Sequence, residues 1–244
     1  MEALLAVACL AAAGYLISRE VRTEVVTAPS ARKRLCDYYV AGAVYEDPVA
    51  VVPRGVRLLE LHIESDMQDR PVVRGSPARG SESENHLESI LVVLLNKAFP
   101  SKDPFILSLV FHTDTTVTLN AVAKSVNETV RRHLVPPTLD LAQRPLDTLE
   151  NKLILVSGPE VRGSDLEPLI TLSWGESGLR RLDYARALHP REPEELRQFT
   201  ENNLVLVVPD KSKNVYPGDN EIVASGCQWN LGGSGTGFIE RTGS

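Results

Sequence analysis

Three ionisable side chains alternate along one short apolar segment of this chain, at Glu60, His62 and Glu64. Because successive side chains of a β-strand point to opposite faces, residues spaced two apart share one face. Histidine exchanges protons near neutral pH and carboxylates bind cations, so such a row suits acid–base catalysis or metal binding. The structural alternative is that Glu60 pairs with a buried arginine or with backbone donors.

The elements around this row are predicted from apolar runs and turn residues. The segment 56–63 is predicted to be a buried strand, followed by the short extended segment 70–73 and the polar loop 74–85. More apolar strands and the helices between them follow along the chain. The strands are predicted at 104–112, 152–158, 168–174 and 203–209, and the helices at 86–99, 115–134 and 192–203.

Apolar strands that alternate with helices predict parallel strands covered by helices. The number of alternations and the 244-residue length favour an α/β fold of the TIM-type (β/α) barrel, irregular or incomplete in places, over a doubly wound sheet. We predict the barrel over 35–231 and a Gly/Ser-rich flexible tail over 232–244. Active sites of such barrels lie at the carboxyl ends of the strands, where the Glu60 row would then lie.

Composition excludes several classes of protein. The formal net charge is −6 without a basic stripe, which argues against nucleic-acid binding. The cysteines Cys9, Cys36 and Cys227 lack metal-ligand spacing, and their odd number argues against a disulfide framework. Cys227 is expected to be a small buried hydrophobe rather than a nucleophile.

The first twenty residues contain an apolar run, 3–17, with Tyr15 near its end. We predict an N-terminal hydrophobic anchor helix over 1–20 and a polar tether over 21–34. The basic residues after the run place the barrel on the cytoplasmic side of the membrane. The alternatives are a cleaved signal, against which the acidic Glu2 argues, and a core helix, since the run is short for a span of about 17–25 residues.

Several motifs occur in a defined order: GVRLLELHIESDMQDRPVVRGS at 55–76, PFILSLVFH at 104–112, NKLILVSG at 151–158 and GCQWNL at 226–231. This order resembles the phosphatidylinositol-specific phospholipase C barrel. In that family G-x-R-x-x-E-L-D and P-x-x-x-H-G precede the strands P-x-I-L-S-L-E and K-I-L-I, and G-C-Q follows near the carboxyl terminus. Glycerophosphodiesterases share E-L-D and the turn before it and rank second.

The resemblance implies a mechanism, and the matching positions imply its loss. Family members of the eukaryotic type use two histidines as base and acid, and a calcium ion held by carboxylates. Glu60 matches the first acidic ligand, whereas His62 and Val110 stand at the second and third. Gly75 stands at the position of one catalytic histidine, and the stretch 38–48, which matches the other, contains no histidine.

We therefore predict a pseudoenzyme with no catalytic residue, no calcium site and no other cofactor. Glu60 and His62 would be relics of the metal site. Arg74 and His112 would line a residual cleft, in which Arg74 could replace calcium, as a basic residue does in a bacterial variant of the fold.

The predicted role is structural. The layout resembles predicted proteins of large DNA viruses, which implies a membrane-anchored scaffold or minor capsid protein of the virion. Its expected partners are the membrane, bound through 3–17, and capsid or membrane proteins. The alternatives are a phosphodiesterase with a rearranged site around Glu60, His62, Arg74 and His112, and a module that binds phosphoinositide head groups weakly without cleavage.

Overall fold

The structure is a computed structural model that describes residues 32–44, 48–73, 85–99, 102–210, 225–232 and 237–241. The predicted anchor, most of the tether and the loop that contains Arg74 and Gly75 lie outside these residues. None of the helices within the described ranges is long and apolar enough to cross a membrane.

Eight parallel strands form the wall of a barrel, which confirms the predicted α/β barrel class. Around the wall they follow the order β7–β6–β5–β2–β1–β10–β9–β8. Within the described residues no ladder joins β7 to β8, so the barrel is nearly closed. The wall strands are β1 (Tyr38–Val44), β2 (Leu58–Ser65), β5 (Phe105–Phe111), β6 (Leu153–Ser157), β7 (Leu172–Ser173), β8 (Leu179–Asp183), β9 (Leu204–Val208) and β10 (Trp229–Leu231).

The described residues also contain three strands that pair antiparallel and five α-helices. The strand β3 pairs with β2 and with β4, while β11 pairs with β1. These elements are β3 (Pro71–Val73), β4 (Asn85–His86), β11 (Phe238–Glu240), α1 (Pro48–Val51), α2 (Leu87–Lys97), α3 (Thr116–Thr129), α4 (Tyr184–Leu188) and α5 (Pro193–Asn202).

Two apolar layers hold the wall in place. Alternate residues of each strand point inward, where Leu58, Ile106 and Trp229 share one buried cluster. The residues between them point outward, and Leu59 and Leu107 pack with α2 and α3 in a second cluster. Burial of both faces explains why these strands read as near-continuous apolar runs.

One predicted strand, 168–174, is mostly a different structure. A 3-10 turn occupies Glu167–Leu169, and only Leu172–Ser173 pairs with β6. The hydroxyl of Thr171 accepts a hydrogen bond from Leu155 N (3.1 Å) and donates to Val135 O (2.8 Å). This side chain takes the place of a main-chain acceptor and so shortens β7.

Part of the predicted flexible tail is ordered. β11 pairs with the amino-terminal half of β1, and the Phe238 ring meets Tyr38 edge-on at 6.1 Å between centroids. Arg241 Nη1 donates to the carbonyl oxygens of Cys36 and Thr200, both at 3.0 Å. Residues 237–241 of the predicted tail thus contact the barrel through three ladder pairs and a partly buried aromatic contact, although the composition around them is rich in Gly and Ser.

Gly42 is required by close packing inside the barrel. A Cβ at this position would lie 2.5 Å from Leu58 Cγ. We expect Gly42→Ala to lower the free energy of unfolding by about 1–3 kcal/mol, since overpacked cores lose about that much. Urea denaturation measures the change.

A double variant serves as the control, because Leu58→Ala removes the side-chain atoms Cγ and Cδ2 from the added methyl group and leaves the contact with Leu58 O at 2.8 Å. The loss in Gly42→Ala/Leu58→Ala should be smaller than the sum of the two single losses. Strict additivity would show that the contact with the Leu58 side chain is not what requires glycine.

Candidate active site at the carboxyl end of the barrel

The side chains of β2 alternate between two environments, as the pattern of this strand predicts. Leu59, Leu61 and Ile63 point outward into the helix-facing cluster. Glu60 and His62, the third and fifth of the eight residues of β2, point inward and are 2 % and 7 % exposed. A buried carboxylate requires compensation by donors or charge, so the groups around Glu60 define the site.

Glu60 is compensated by three side chains. Its Oε1 accepts hydrogen bonds from Arg181 Nη2 (2.8 Å) and His62 Nε2 (3.2 Å). Its Oε2 accepts a hydrogen bond from Ser108 Oγ at 2.9 Å. Ser108 lies opposite Glu60 in the β2–β5 ladder, so this donor is supplied by the neighbouring strand.

The ion pair between Glu60 and Arg181 crosses the interior of the barrel. Glu60 belongs to β2 and Arg181 to β8, which are separated by three strands in either direction around the wall. The guanidinium also lies 5.1 Å above the Trp174 ring, and its Nε is buried without a hydrogen-bond partner. A Cβ at Gly158 would lie 2.7 Å from Trp174 Nε1, so glycine leaves space for that ring.

The two histidines continue the network toward solvent. His62 Nδ1 lies 2.7 Å from Nε2 of His112, which is exposed just beyond β5, and the rings stack at 5.0 Å between centroids. An ionised Glu60 only accepts hydrogen bonds, so His62 Nε2 carries a hydrogen. In neutral His62, Nδ1 is then the acceptor and His112 Nε2 the donor. This assignment of hydrogens follows from the network. It gives a proton path to Glu60 from the opening at the carboxyl ends of the strands, which we call the mouth.

The charge state of Glu60 follows from competing effects. Burial alone would raise the pKa of this carboxyl, but the hydrogen bond from His62 and the charge of Arg181 outweigh burial and lower the pKa. Glu60 is therefore an anion neutralised by Arg181 near neutral pH.

The residues do not fit the calcium ion that the resemblance implies. The three side chains that contact Glu60 are hydrogen-bond donors, one of them cationic, whereas calcium binds several free oxygen ligands. Val110 lies beside His62 in the β2–β5 ladder and offers no side-chain oxygen. In the described part of the chain, no group of three or more His, Cys, Asp or Glu residues could hold a metal ion.

The sequence prediction brought together the correct β2 residues and His112 but missed Arg181, Ser108 and Trp174. Arg181 is separated from Glu60 by 121 residues, and the adjacent Arg180 and Arg181 could not be assigned to opposite faces without the strand β8. Arg74 and Gly75 lie outside the described residues, so their predicted places in the cleft stay predictions.

The two described cysteines take no part in this site. Burial raises the pKa of Cys36 to about 11 and that of Cys227 to about 12, which keeps both as thiols at neutral pH. Gln228, next to Cys227, donates from Nε2 to Thr200 O (2.6 Å) and Asn203 O (3.0 Å), and its Oε1 accepts a hydrogen bond from Val205 N (3.0 Å), so this side chain joins α5 to β9.

Similarity to solved structures defines the class of this fold as a phosphatidylinositol-specific phospholipase C-like barrel. Solved enzymes of that name share it. S. officinalis PLC21 has a TM-score of 0.65 at 12% identity, over 81% of this chain and 33% of the other, so this chain spans about a third of that protein.

Two bacterial structures match over most of both chains. The calcium-dependent phosphoinositol-specific phospholipase C of a Pseudomonas species has a TM-score of 0.61 at 12% identity, over 84% of this chain and 92% of the other. The Ca²⁺-dependent enzyme of Streptomyces antibioticus has a TM-score of 0.55 at 10% identity, over 82% and 94%. The chain matches no protein-family model and no curated protein, and at such identities the similarity concerns the fold.

The lowered pKa of Glu60 predicts how stability depends on pH. A carboxyl whose pKa is lower in the folded chain stabilises it above the unfolded value of 4.5, and this contribution is lost as the pH falls through the folded-state pKa. In Glu60→Gln, the free energy of unfolding should therefore fall less steeply on acidification below about pH 5. Urea denaturation at a series of pH values measures the slope.

The exposed Glu88 on α2 provides the matched control. Glu88→Gln should leave the slope of the wild type unchanged. Equal slopes in the wild type and Glu60→Gln would contradict the assignment of Glu60 as an ion stabilised by the fold.

Proposed function

We propose that this protein is a non-catalytic relative of the phospholipase C-like enzymes, in which the barrel is a structural module and does not cleave phosphoinositides with calcium. The observation that carries the proposal is the pairing of Glu60 with Arg181, 2.8 Å apart inside the barrel. Glu60 matches the first calcium ligand of the family, and here it neutralises a cation of the protein itself.

Electrostatics explains why the two arrangements exclude each other. A calcium ion on Glu60 would lie within a few ångströms of the Arg181 guanidinium, where two positive charges repel strongly in a partly buried site. The two positions that would add negative charge hold His62 and Val110. The network is thus satisfied without a metal, and the pseudoenzyme predicted from the sequence is consistent with it.

The structural role includes parts that rest on the sequence alone. Attachment to a membrane through 3–17, contacts with capsid or membrane proteins and a place in the virion of a large DNA virus stay predictions. Like the proposal, these predictions require that the barrel acts through contacts made by its surface and not by catalysing a reaction.

Calcium provides the direct test. The full chain should release no inositol phosphate from phosphatidylinositol vesicles with calcium, and calcium should not raise its melting temperature, because Arg181 already neutralises Glu60. Calcium-dependent release that is lost in Glu60→Gln would overturn the proposal.

A redesigned variant provides the positive control. His62→Asp/Val110→Glu/Arg181→Ala removes the competing cation and places three carboxylates on two neighbouring strands. Calcium should raise the melting temperature of this variant but not that of His62→Asp/Val110→Glu, in which Arg181 remains.

A second candidate function is supported by the histidine pair. The path from exposed His112 through His62 to ionised Glu60 resembles the arrangement in which a carboxylate orients a histidine that acts as a general base. A phosphodiester at the mouth could then be cleaved without calcium by a rearranged site.

This candidate predicts calcium-independent hydrolysis of bis(p-nitrophenyl) phosphate. His112→Ala should lower the rate by about 10²-fold or more, the usual contribution of general acid–base catalysis. The exposed His189 provides the control, and His189→Ala should keep the full rate. Absence of turnover in the wild type would leave the non-catalytic role.

A further inference from the structure

A groove with a volume of about 480 Å³ lies beside β7, and we name it the β7 groove. This volume is within the range of about 300–1,000 Å³ that is usual for ligand sites in proteins. The side chains of its floor are buried, whereas those of its rim are exposed. The floor includes Val161, Ile170 and Ser173, and the rim includes Leu139, Glu167 and Glu176.

The position of the groove follows from the short connection between β7 and β8. Parallel strands are usually joined by a dozen or more residues that contain a helix. Residues 174–178 alone join β7 to β8, and this described segment contains no helix. Thr171 and Ser173 point outward, because Leu172 between them belongs to the inner cluster. The groove therefore lies on the outer face of β7, where a crossover helix packs in a regular barrel.

The floor and part of the rim are apolar. Val161 and Ile170 belong to the outer apolar cluster. On the rim, Leu139 is 60 % exposed, and Pro137 and Pro168 are exposed as well. Sites for small molecules bury about 70–90 % of the ligand, which so open a rim does not do. The groove suits an apolar side chain that a peptide presents from outside.

The surroundings of the groove are acidic. The segments that line it, 136–140, 158–170 and 173–178, carry five exposed carboxylates and one cation, Arg162, whereas the whole chain has 32 acidic residues against 26 lysines and arginines. Asp140 lies 3.9 Å from Arg144 Nε, and Glu167 Oε2 accepts a hydrogen bond from Gly163 N at 2.7 Å. The carboxylates are those of Asp140, Glu160, Asp165, Glu167 and Glu176. This local excess of negative charge favours a cationic partner.

We propose that the β7 groove binds a basic peptide segment of another protein. An apolar side chain of the peptide packs on Val161 and Ile170, and lysine or arginine residues next to it pair with Glu167 and Glu176. This inference goes beyond the non-catalytic role and does not depend on it, because the groove lies outside the barrel wall, whereas Glu60 lies inside.

Fluorescence anisotropy of two short labelled peptides, titrated with the full chain, tests the proposal. In one peptide leucines stand between lysines, and in the other glutamates replace the lysines. The lysine peptide should bind at least about tenfold more tightly at low salt, and added salt should weaken its binding. Glu167→Lys/Glu176→Lys should lower its affinity at least about tenfold, because each exposed ion pair contributes up to about fivefold and the new charges repel the peptide.

A second variant tests the apolar contact without changing charge. Leu139→Ser should lower the affinity for the lysine peptide about fivefold, because an exposed apolar side chain that the peptide covers is lost. Val117→Ser is the matched control, since Val117 on α3 is also 60 % exposed, and it should bind like the wild type. For the charge, Glu128→Lys/Glu201→Lys makes the same change on α3 and α5 and should also bind like the wild type.

Equal melting temperatures exclude unfolding as the cause of a loss. Equal affinity of the two peptides would overturn the proposal, as would equal affinity of the groove variants and their controls. A dimer of the wild type in analytical ultracentrifugation that Leu139→Ser abolishes would also overturn it, because a second copy of the chain would then occupy the groove.

Discussion

The ion pair between Glu60 and Arg181 is the constraint on which the upper half of the barrel depends. A carboxylate that is 2 % exposed inside an apolar wall is costly unless a counter-charge and hydrogen-bond donors surround it. The counter-charge comes from β8, which has a ladder to β9 but none to β7 among the described residues. The pair therefore links the strand beside the open seam to the opposite wall, and it compensates in part for the missing ladder.

The same pair decides which chemistry the site supports. A carboxylate at the carboxyl end of a barrel strand either binds a cation from solution or neutralises one from the protein, and here Arg181 takes that place. Ser108 and His62 satisfy what remains of the carboxylate, and Trp174 covers the guanidinium. The two histidines extend the network from Glu60 to the mouth, because His112 is its exposed end.

The strands that the sequence predicted are those with a strong local pattern of apolar residues. Near-continuous apolar runs located β2, β5, β6 and β9, and the alternation of Glu60 and His62 showed which face they share. β1, β8, β10 and β11 were missed because they are short or contain glycine and charged residues, and long-range pairing alone makes them strands. Arg181 was missed for the same reason, since its partner is 121 residues away. A contact across the barrel interior produces no periodic pattern in the sequence of β2 or of β8.

The two ends of the barrel differ because β1 begins well before β2. Gly42 is the residue of β1 that lies beside Leu58, so Tyr38 to Val40 extend below the first residue of β2. β11 pairs with this free edge and places Phe238 against the inner apolar cluster. Without β11, main-chain groups of β1 would lack partners and the apolar interior would meet water at this end. Phe238 therefore adds to the apolar packing at this end, whereas the polar network runs from exposed His112 through His62 to buried Glu60.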